Sequence, residues 1–347
     1  MPYPPQVYSL DGHAFGLTVS GVQVIDDVPT DVTPIRWDAP NHGNDGSISF
    51  TLEYVPSYGV PAGAVIRLTD NTENELLWQG VVTSKRVRRH VAAYVDIDVD
   101  GVGWGYFLAN RYVPSYSWTG ATPRLVLESF LTQYGGPIGG GTAYMKSGGY
   151  ANASTATAST VRGVLDAVIE ATTTYGAYYV DDTAALHYYY ANETDAVGTA
   201  ASIGTGGSVV PEFLVVDYGY DQSKHMTYAQ GTATYAAYVG NTYADAWESG
   251  QTISAYVSQW SDLDSIVPQM AQDYMRFNES DITTLGFSTT EQGGWKPGQE
   301  LNLIDSALGT ATFTIASVSG SIDHRNVIEY QVSTANHRSI VQTVIQK

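Results

Sequence analysis

Leu76-Leu77-Trp78-Gln79-Gly80-Val81-Val82 and, after a basic run, Tyr94-Val95-Asp96-Ile97-Asp98-Val99-Asp100-Gly101 decide how the first third of this chain is read. In the second stretch the apolar set Val91, Ala93, Val95, Ile97 and Val99 alternates with Tyr94, Asp96, Asp98 and Asp100. That is the period of two expected of a strand with one dry face. The first stretch reads as a further strand. Between them stands Lys85-Arg86-Val87-Arg88-Arg89, which holds four of the 16 Lys and Arg residues. A basic strand beside an acidic one predicts cross-strand charge pairing. Upstream, Ile48, Phe50, Leu52 and Tyr54 alternate with Ser49, Thr51 and Glu53, and Ala64, Ile66 and Leu68 repeat the pattern after Pro61-Ala62-Gly63. Short strands parted by Gly, Pro and Asn turns predict a small antiparallel barrel or sandwich over residues 1–110.

Residues 111–210 change character. Thr122-Pro123 reads as an N-cap followed by an N1 proline, and Leu127, Phe130, Leu131 and Tyr134 share a helical face that Gly135 ends. The stretch 135–159, rich in Gly, Ser, Thr and Ala, has the composition of a flexible loop. A second helix carries Val161, Val164, Leu165, Val168 and Thr172 on one stripe, with Gly176 placed as its C′ glycine. Residues 177–180 and 186–190 predict a hairpin across Asp181-Asp182-Thr183. From 211 to 347 the β pattern returns around Leu301-Asn302-Leu303, Thr312-Phe313-Thr314-Ile315 and Val327-Ile328-Glu329-Tyr330. One helix is expected there, with Leu263, Ile266, Val267, Met270, Tyr274 and Phe277 at helical spacing and Pro268 marking its start or a kink. The expected fold is mainly β with α+β: two small antiparallel β-barrel domains, 1–110 and 211–347, separated by an α+β domain, 111–210.

Of 347 residues, 35 are Asp or Glu and 16 are Lys or Arg, a formal charge of −19. Charged residues make up only 15% of the chain, against about 25% in ordinary domains, so the acidity comes from missing cations. Binding to nucleic acid or to an anionic membrane needs the cations this chain lacks. The absence of cysteine excludes disulfides, thiolate nucleophiles and Cys-based zinc sites. The start, Met1-Pro2-Tyr3-Pro4-Pro5, has neither the charged nor the apolar region of a signal peptide. No apolar run approaches the roughly 18 residues of a membrane span.

Motifs that carry chemistry fall short of their requirements. Asp96-Ile97-Asp98-Val99-Asp100-Gly101 matches half an EF-hand loop, but the twelfth position, which must supply a bidentate Glu, is Phe107. Gly135-Gly136-Pro137-Ile138-Gly139-Gly140-Gly141-Thr142 outlines a phosphate loop, yet Gly141 stands where its lysine should be, and the run follows a helix. It reads as a mobile loop. The histidines (13, 42, 90, 187, 225, 324 and 337) show no metal-ligand spacing, and no G-x-S-x-G elbow occurs. Asp26-Asp27 and Asp181-Asp182 sit in turns, where Asp favours its own backbone. No catalytic residue, cofactor or metal ligand is assigned. Tyrosine is the outlier: Tyr178, Tyr179, Tyr188, Tyr189 and Tyr190 crowd one hairpin, and Tyr112, Tyr116 and Trp118 crowd the first domain boundary. These read as a subunit interface in preference to a sugar-stacking platform.

In order along the chain, these elements resemble the tail hub proteins of bacteriophages. Leu77-Trp78-Gln79-Gly80-Val81-Val82, the Asp-bearing strand 94–101 and Leu108-Ala109-Asn110-Arg111-Tyr112-Val113 look like that family's first barrel. The helix at 161–175 and the hairpin through Tyr179-Val180-Asp181 and Leu186-His187-Tyr188 are similar to its middle module. Gly294-Trp295-Lys296-Pro297-Gly298-Gln299-Glu300-Leu301-Asn302-Leu303 and Phe313-Thr314-Ile315-Ala316-Ser317-Val318 resemble its second barrel. The resemblance implies a non-enzymatic baseplate or tail-tip hub, a homotrimer whose two barrels per subunit mimic the sixfold tail tube. The implied partners are the tail tube or distal tail protein ring, the end of the tape-measure protein, and tail-tip or fibre proteins. It also implies a virion protein assembled in the host cytoplasm. A carbohydrate- or receptor-binding β module is the alternative, and a glycosidase a more distant one. The charge is uneven: residues 163–223 contain no Lys or Arg, which predicts an acidic middle domain.

Overall fold

A computed structural model of the chain describes residues 15–335 apart from 20–21, 27–33, 42–43, 56–59, 62, 72–73, 92–93, 146–150, 173–175, 191–199, 205, 208–216, 222–227, 234–237, 242–249, 256–281, 291–293, 306–308 and 324–326. The first third holds β1 (Phe15–Val19), β2 (Val22–Asp26), β3 (Ile35–Asp38), β4 (Ser47–Val55), β5 (Val65–Asp70), β6 (Glu75–Val91) and β7 (Tyr94–Gly103). The middle holds α1 (Tyr106–Asn110), β8 (Tyr112–Trp118), α2 (Pro123–Tyr134), β9 (Gly139–Met145), β10 (Ser154–Thr160), α3 (Val161–Glu170), β11 (Gly176–Val180) and β12 (Ala185–Tyr190). The last part holds β13 (Asp217–Asp221), β14 (Tyr228–Ala233), β15 (Tyr238–Asn241), β16 (Gly250–Ala255), β17 (Ile282–Thr289), β18 (Glu300–Asp305), β19 (Gly309–Ile322) and β20 (Ile328–Ala335). The chain is mainly β with an α+β portion, as the alternation predicted. The helix expected around 263–277 lies outside the described residues.

The strands quoted at the outset pair as their pattern requires. In β7, Ile97 and Val99 are buried while Asp100 is exposed, and β7 lies antiparallel between β4 and β6. Glycines let these strands close up: a Cβ on Gly80 would stand 2.2 Å from the Val102 carbonyl oxygen, and one on Gly101 would stand 2.7 Å from the Ile66 Cδ1. The outer thirds then join. Antiparallel β3 and β19 pair Trp37 with Gly320 and Ile35 with Ile322, making one twelve-stranded sheet that runs β13-β17-β20-β19-β3-β4-β7-β6-β5-β1-β2, with β18 on β19. One apolar core follows it, from Phe15, Trp37 and Trp78 through to Leu301, Phe313 and Val332.

The middle part has its own core, in which Leu127 and Phe130 of α2 meet Val164, Leu165 and Val168 of α3, and Tyr188 of β12. Val81 and Trp104 from the first third belong to the same cluster. Several local expectations shift here. The stretch 135–159 is not one loop, because it contains β9, parallel to β12, and most of β10, antiparallel to β8. Its β-branched threonines suit a pleated surface, and Gly140 gives room to the Met145 side chain, whose Cε lies 2.0 Å from where a Cβ would be. At the end of α2, Gly135 stays right-handed as the cap and Gly136 takes the positive φ of 67°. Helix α3 stops at Glu170 with Ala171 as its cap, so Gly176 opens β11 instead of closing the helix. No helix among the described residues is long and apolar enough to cross a membrane.

Candidate functional site

The predicted hairpin exists, with β11 and β12 paired in register from Gly176↔Tyr190 to Val180↔Leu186. Its turn reaches out of the middle part. Asp181 organises it: one carboxylate oxygen accepts hydrogen bonds from the Thr183 N–H (2.8 Å), the Thr183 hydroxyl (2.8 Å) and the Ala185 N–H (2.9 Å). This is the Asx-type closure for which Asp is favoured, and it holds Ala184 at a φ of 64°. The other oxygen lies 2.9 Å from His187 Nε2. As the carboxylate can only accept, the ring N–H donates. The imidazole is buried and stacks on Tyr179, with ring centroids 4.6 Å apart and an interplanar angle of 17°.

Asp182 and Tyr179 bond to the outer thirds. The Gln79 N–H of β6 donates to the Asp182 carboxylate at 3.3 Å, and the Trp104 indole N–H donates to the Asp182 carbonyl at 3.1 Å. The Tyr179 hydroxyl donates to the Pro297 carbonyl at 3.4 Å. One residue before that proline, Lys296 reaches across to Glu75 at 3.2 Å. Middle part, first third and last third therefore meet around a cavity of about 80 Å³, walled by Trp37, Trp295, Tyr179 and Tyr330. Small-molecule sites measure about 300–1,000 Å³, well above this cavity. Among the described residues lining it there is no serine, threonine or cysteine.

The two neighbouring carboxylates are driven apart. For Asp181, burial works to raise the pKa, but the bonds from His187, Ala185 and Thr183 outweigh it and hold the group below the usual aspartate range. For Asp182, burial pushes the pKa up to about 7, with the adjacent Asp181 charge adding to it and the Gln79 N–H and Lys296 opposing. The sequence placed both Asp residues in a turn serving their own backbone. Asp181 does this, whereas Asp182 ties the turn to β6. The Asp181–His187 pair went unseen although a hairpin register leading His187 back opposite Tyr179 would bring it within reach.

The other sequence candidates resolve separately. Arg88 of β6 pairs with Asp98 of β7 at 2.6 Å, Thr51 donates to the same carboxylate at 2.9 Å, and Ser84 donates to Asp100 at 2.6 Å. Burial works to raise the Asp98 pKa, but those bonds and the Arg88 and Arg86 charges bring it below the ordinary value. The acidic strand is thus charge-paired across the ladder, as its pattern predicted. Among the described residues no group of three or more His, Cys, Asp or Glu side chains could hold a metal ion. The glycine run at 135–142 forms a helix end and the start of β9, not a phosphate-type loop. The tyrosine reading needs correction: Tyr188 is wholly buried and Tyr179 is buried, and Tyr178 donates to Asp166 at 2.6 Å. Tyr116 packs at 4.7 Å against Phe130. Tyr188 and Tyr179 thus fill the subunit's own interior, Tyr178 and Tyr116 are half-buried, and the side chains of Tyr189 and Tyr190 lie outside the described residues. Tyr112 remains exposed.

This long sheet spanning both ends of the chain, with an inserted α+β part, is a fold shared with solved phage-tail proteins. The chain superposes on the tail protein of Neisseria meningitidis MC58 with a TM-score of 0.66 at 12% identity, covering 93% of this chain and 96% of that one. It matches the 43 kDa tail protein of prophage MuSo2 from Shewanella oneidensis with a TM-score of 0.62 at 12% identity, covering 94% and 98%. A third match is the E. coli c3393 protein, a type VI secretion system component described as similar to the T4 tail proteins gp27 and gp5. There the TM-score is 0.52 at 13% identity, covering 92% of this chain and 76% of that one. No family model matches the sequence, and no curated protein matches it.

Proposed function

We propose that this chain is a structural, non-enzymatic hub of a phage-type tail tip. In this reading three copies form a ring that joins the tail tube, or a distal tail protein ring, to tail-tip or fibre proteins and surrounds the end of the tape-measure protein. The observation that carries it is the near-complete mutual coverage with the two tail-protein structures. The β3–β19 joint supports it too: it sets the first and last thirds side by side in one sheet, so that three subunits present six β lobes to a sixfold tube. The parts of each subunit are 1–110, 111–210 and 211–347, assembled in the host cytoplasm and carried in the virion. The 80 Å³ cavity fits this role as a structural joint.

The test is to image tails carrying this protein with a bulky C-terminal fusion by cryo-electron microscopy, alongside light scattering of the purified chain. Three labels at one end of the tail, and a mass of three copies, are expected. Label distributed along the shaft, or tails of normal tip structure in particles lacking the protein, would overturn the proposal.

A further inference from the structure

Strand β6 is 17 residues long, but its two neighbours do not run its full length. Strand β5 pairs with it only from Glu75 to Val81, and Val82 adds one exchange with Ala64 and Gly63. From Ser84 to Val91 the pairing is with β7. Among the described residues no strand lies on the other side of that half. Residues 83–88 are all exposed, including the apolar Val87 at 55%. A half-free strand of this length is a template for another strand, and this one carries Lys85, Arg86, Arg88 and Arg89 in a chain of net charge −19.

A matching edge stands at the other end of the same sheet. Among the described residues, strand β13 is a terminal strand, paired with β17. Its five residues, Asp217-Tyr218-Gly219-Tyr220-Asp221, carry two acids and no cation. The other terminal strand, β2, ends in Asp26, so pairing it with β13 would set like charges together.

We propose that β13 of one copy adds antiparallel to the free half of β6 of the next copy. This rests on the hub reading, which supplies the ring of copies. With Val87 opposite Gly219, the register sets Lys85 opposite Asp221 and Arg89 opposite Asp217, because both charged pairs are spaced by four. Arg86 and Arg88 fall opposite Tyr220 and Tyr218. Val87 then faces a residue without a side chain, which leaves room for it. Lys85 can keep its 2.6 Å bond to the Val60 carbonyl, since an ammonium has three donors. The contact joins two different surfaces head to tail, which closes into a ring when the rotation between copies permits.

Light scattering on the full-length chain tests the charges. The double variant Lys85→Glu, Arg89→Glu should self-associate roughly tenfold or more weakly than the wild type, as should Asp217→Lys, Asp221→Lys. The chain carrying all four changes should recover assembly. Because either variant alone could disturb its own sheet, a second measurement uses the absence of native cysteine. Val87→Cys chains mixed with Gly219→Cys chains under mild oxidation should give a disulfide-linked heterodimer. A wild type that forms rings while the charge reversals leave them intact and the heterodimer fails to form would overturn the edge pairing and leave the hub reading standing. A wild type that stays monomeric would overturn both.

Discussion

Asp181 and Asp182 are adjacent and chemically alike, yet their surroundings send them opposite ways, so they make opposite statements about pH. For Asp182 the folded pKa of about 7 lies above its ordinary value of 3.8. Between those values the folded chain keeps a proton that the unfolded chain has released, so stability falls as pH climbs from about 4 to 7 and is flat above. Asp181 is depressed; its contribution is complete above about pH 4 and is lost as the pH drops below that. Asp182→Asn keeps a carbonyl oxygen for the Gln79 N–H and removes the ionisation. Its urea midpoint should match the wild type near pH 4 and exceed it by pH 8, on the order of 1–2 kcal/mol after allowing for the partial exposure of the side chain. A gap that does not change with pH would contradict this. The hairpin tyrosines make a second point at this scale. Tyr188 is fully buried, and Tyr188→Ala should cost about 3–5 kcal/mol, read as a fall in denaturation midpoint. Residue counting found these tyrosines but not their role, because a ring rich in area suits an interior and an interface equally. Which it fills depends on what packs across the hairpin, and nothing in 176–190 encodes that.

At the scale of single elements, sequence patterns succeeded where a face had to be dry. The stripe Val161, Val164, Leu165 and Val168 is buried throughout. The Asp-bearing strand was legible from Val95 to Gly101, since a slip of one position would expose its core side, whereas Val91, read as its start, ends β6 and pairs with Tyr94. Patterns failed where small residues served two structures. Thr and Ser in 154–160 give no apolar alternation, so β10 looked like loop; its pairing with β8, from Ser154↔Trp118 to Thr160↔Tyr112, is made by a distant strand. Thr160 then ends β10 and caps α3, its hydroxyl accepting from the Gly163 N–H at 3.1 Å. Thr160→Ala should therefore cost about 1 kcal/mol, and Thr160→Ser much less. Hydrogen exchange would show the change concentrated in the first turn of α3. Thr122 offers the contrast, because it makes no side-chain cap bond at α2. Thr122→Ala should be nearly silent, and an equal loss at both positions would show that the capping bond is not what matters.

For the molecule as a whole, the reading of two barrels with an insert did not reveal that they share a sheet. The β3–β19 joint links residues nearly the full chain apart, and its requirement is a missing side chain: Trp37 lies against Gly320, where a Cβ would stand 2.1 Å from the indole. Trp37 is buried and meets Tyr330 edge-on at 6.2 Å, so it has little room to retreat. Gly320→Ala should cost about 1–3 kcal/mol through this overpacking. The same joint sets how the chain unfolds. A single core includes Phe15, Leu68 and Val99 from the first third and Leu285, Ile315 and Val332 from the last. Cutting the chain after residue 110 would strip β3 of its β19 partner and uncover Ile35 and Trp37. Residues 1–110 alone should therefore show no cooperative urea transition, and adding residues 111–347 should restore one. In the intact chain, probes in the two outer thirds should report coincident unfolding midpoints, and Gly320→Ala should lower both together. Separate midpoints, with only the last third affected by the substitution, would mean that the shared sheet does not couple the lobes energetically.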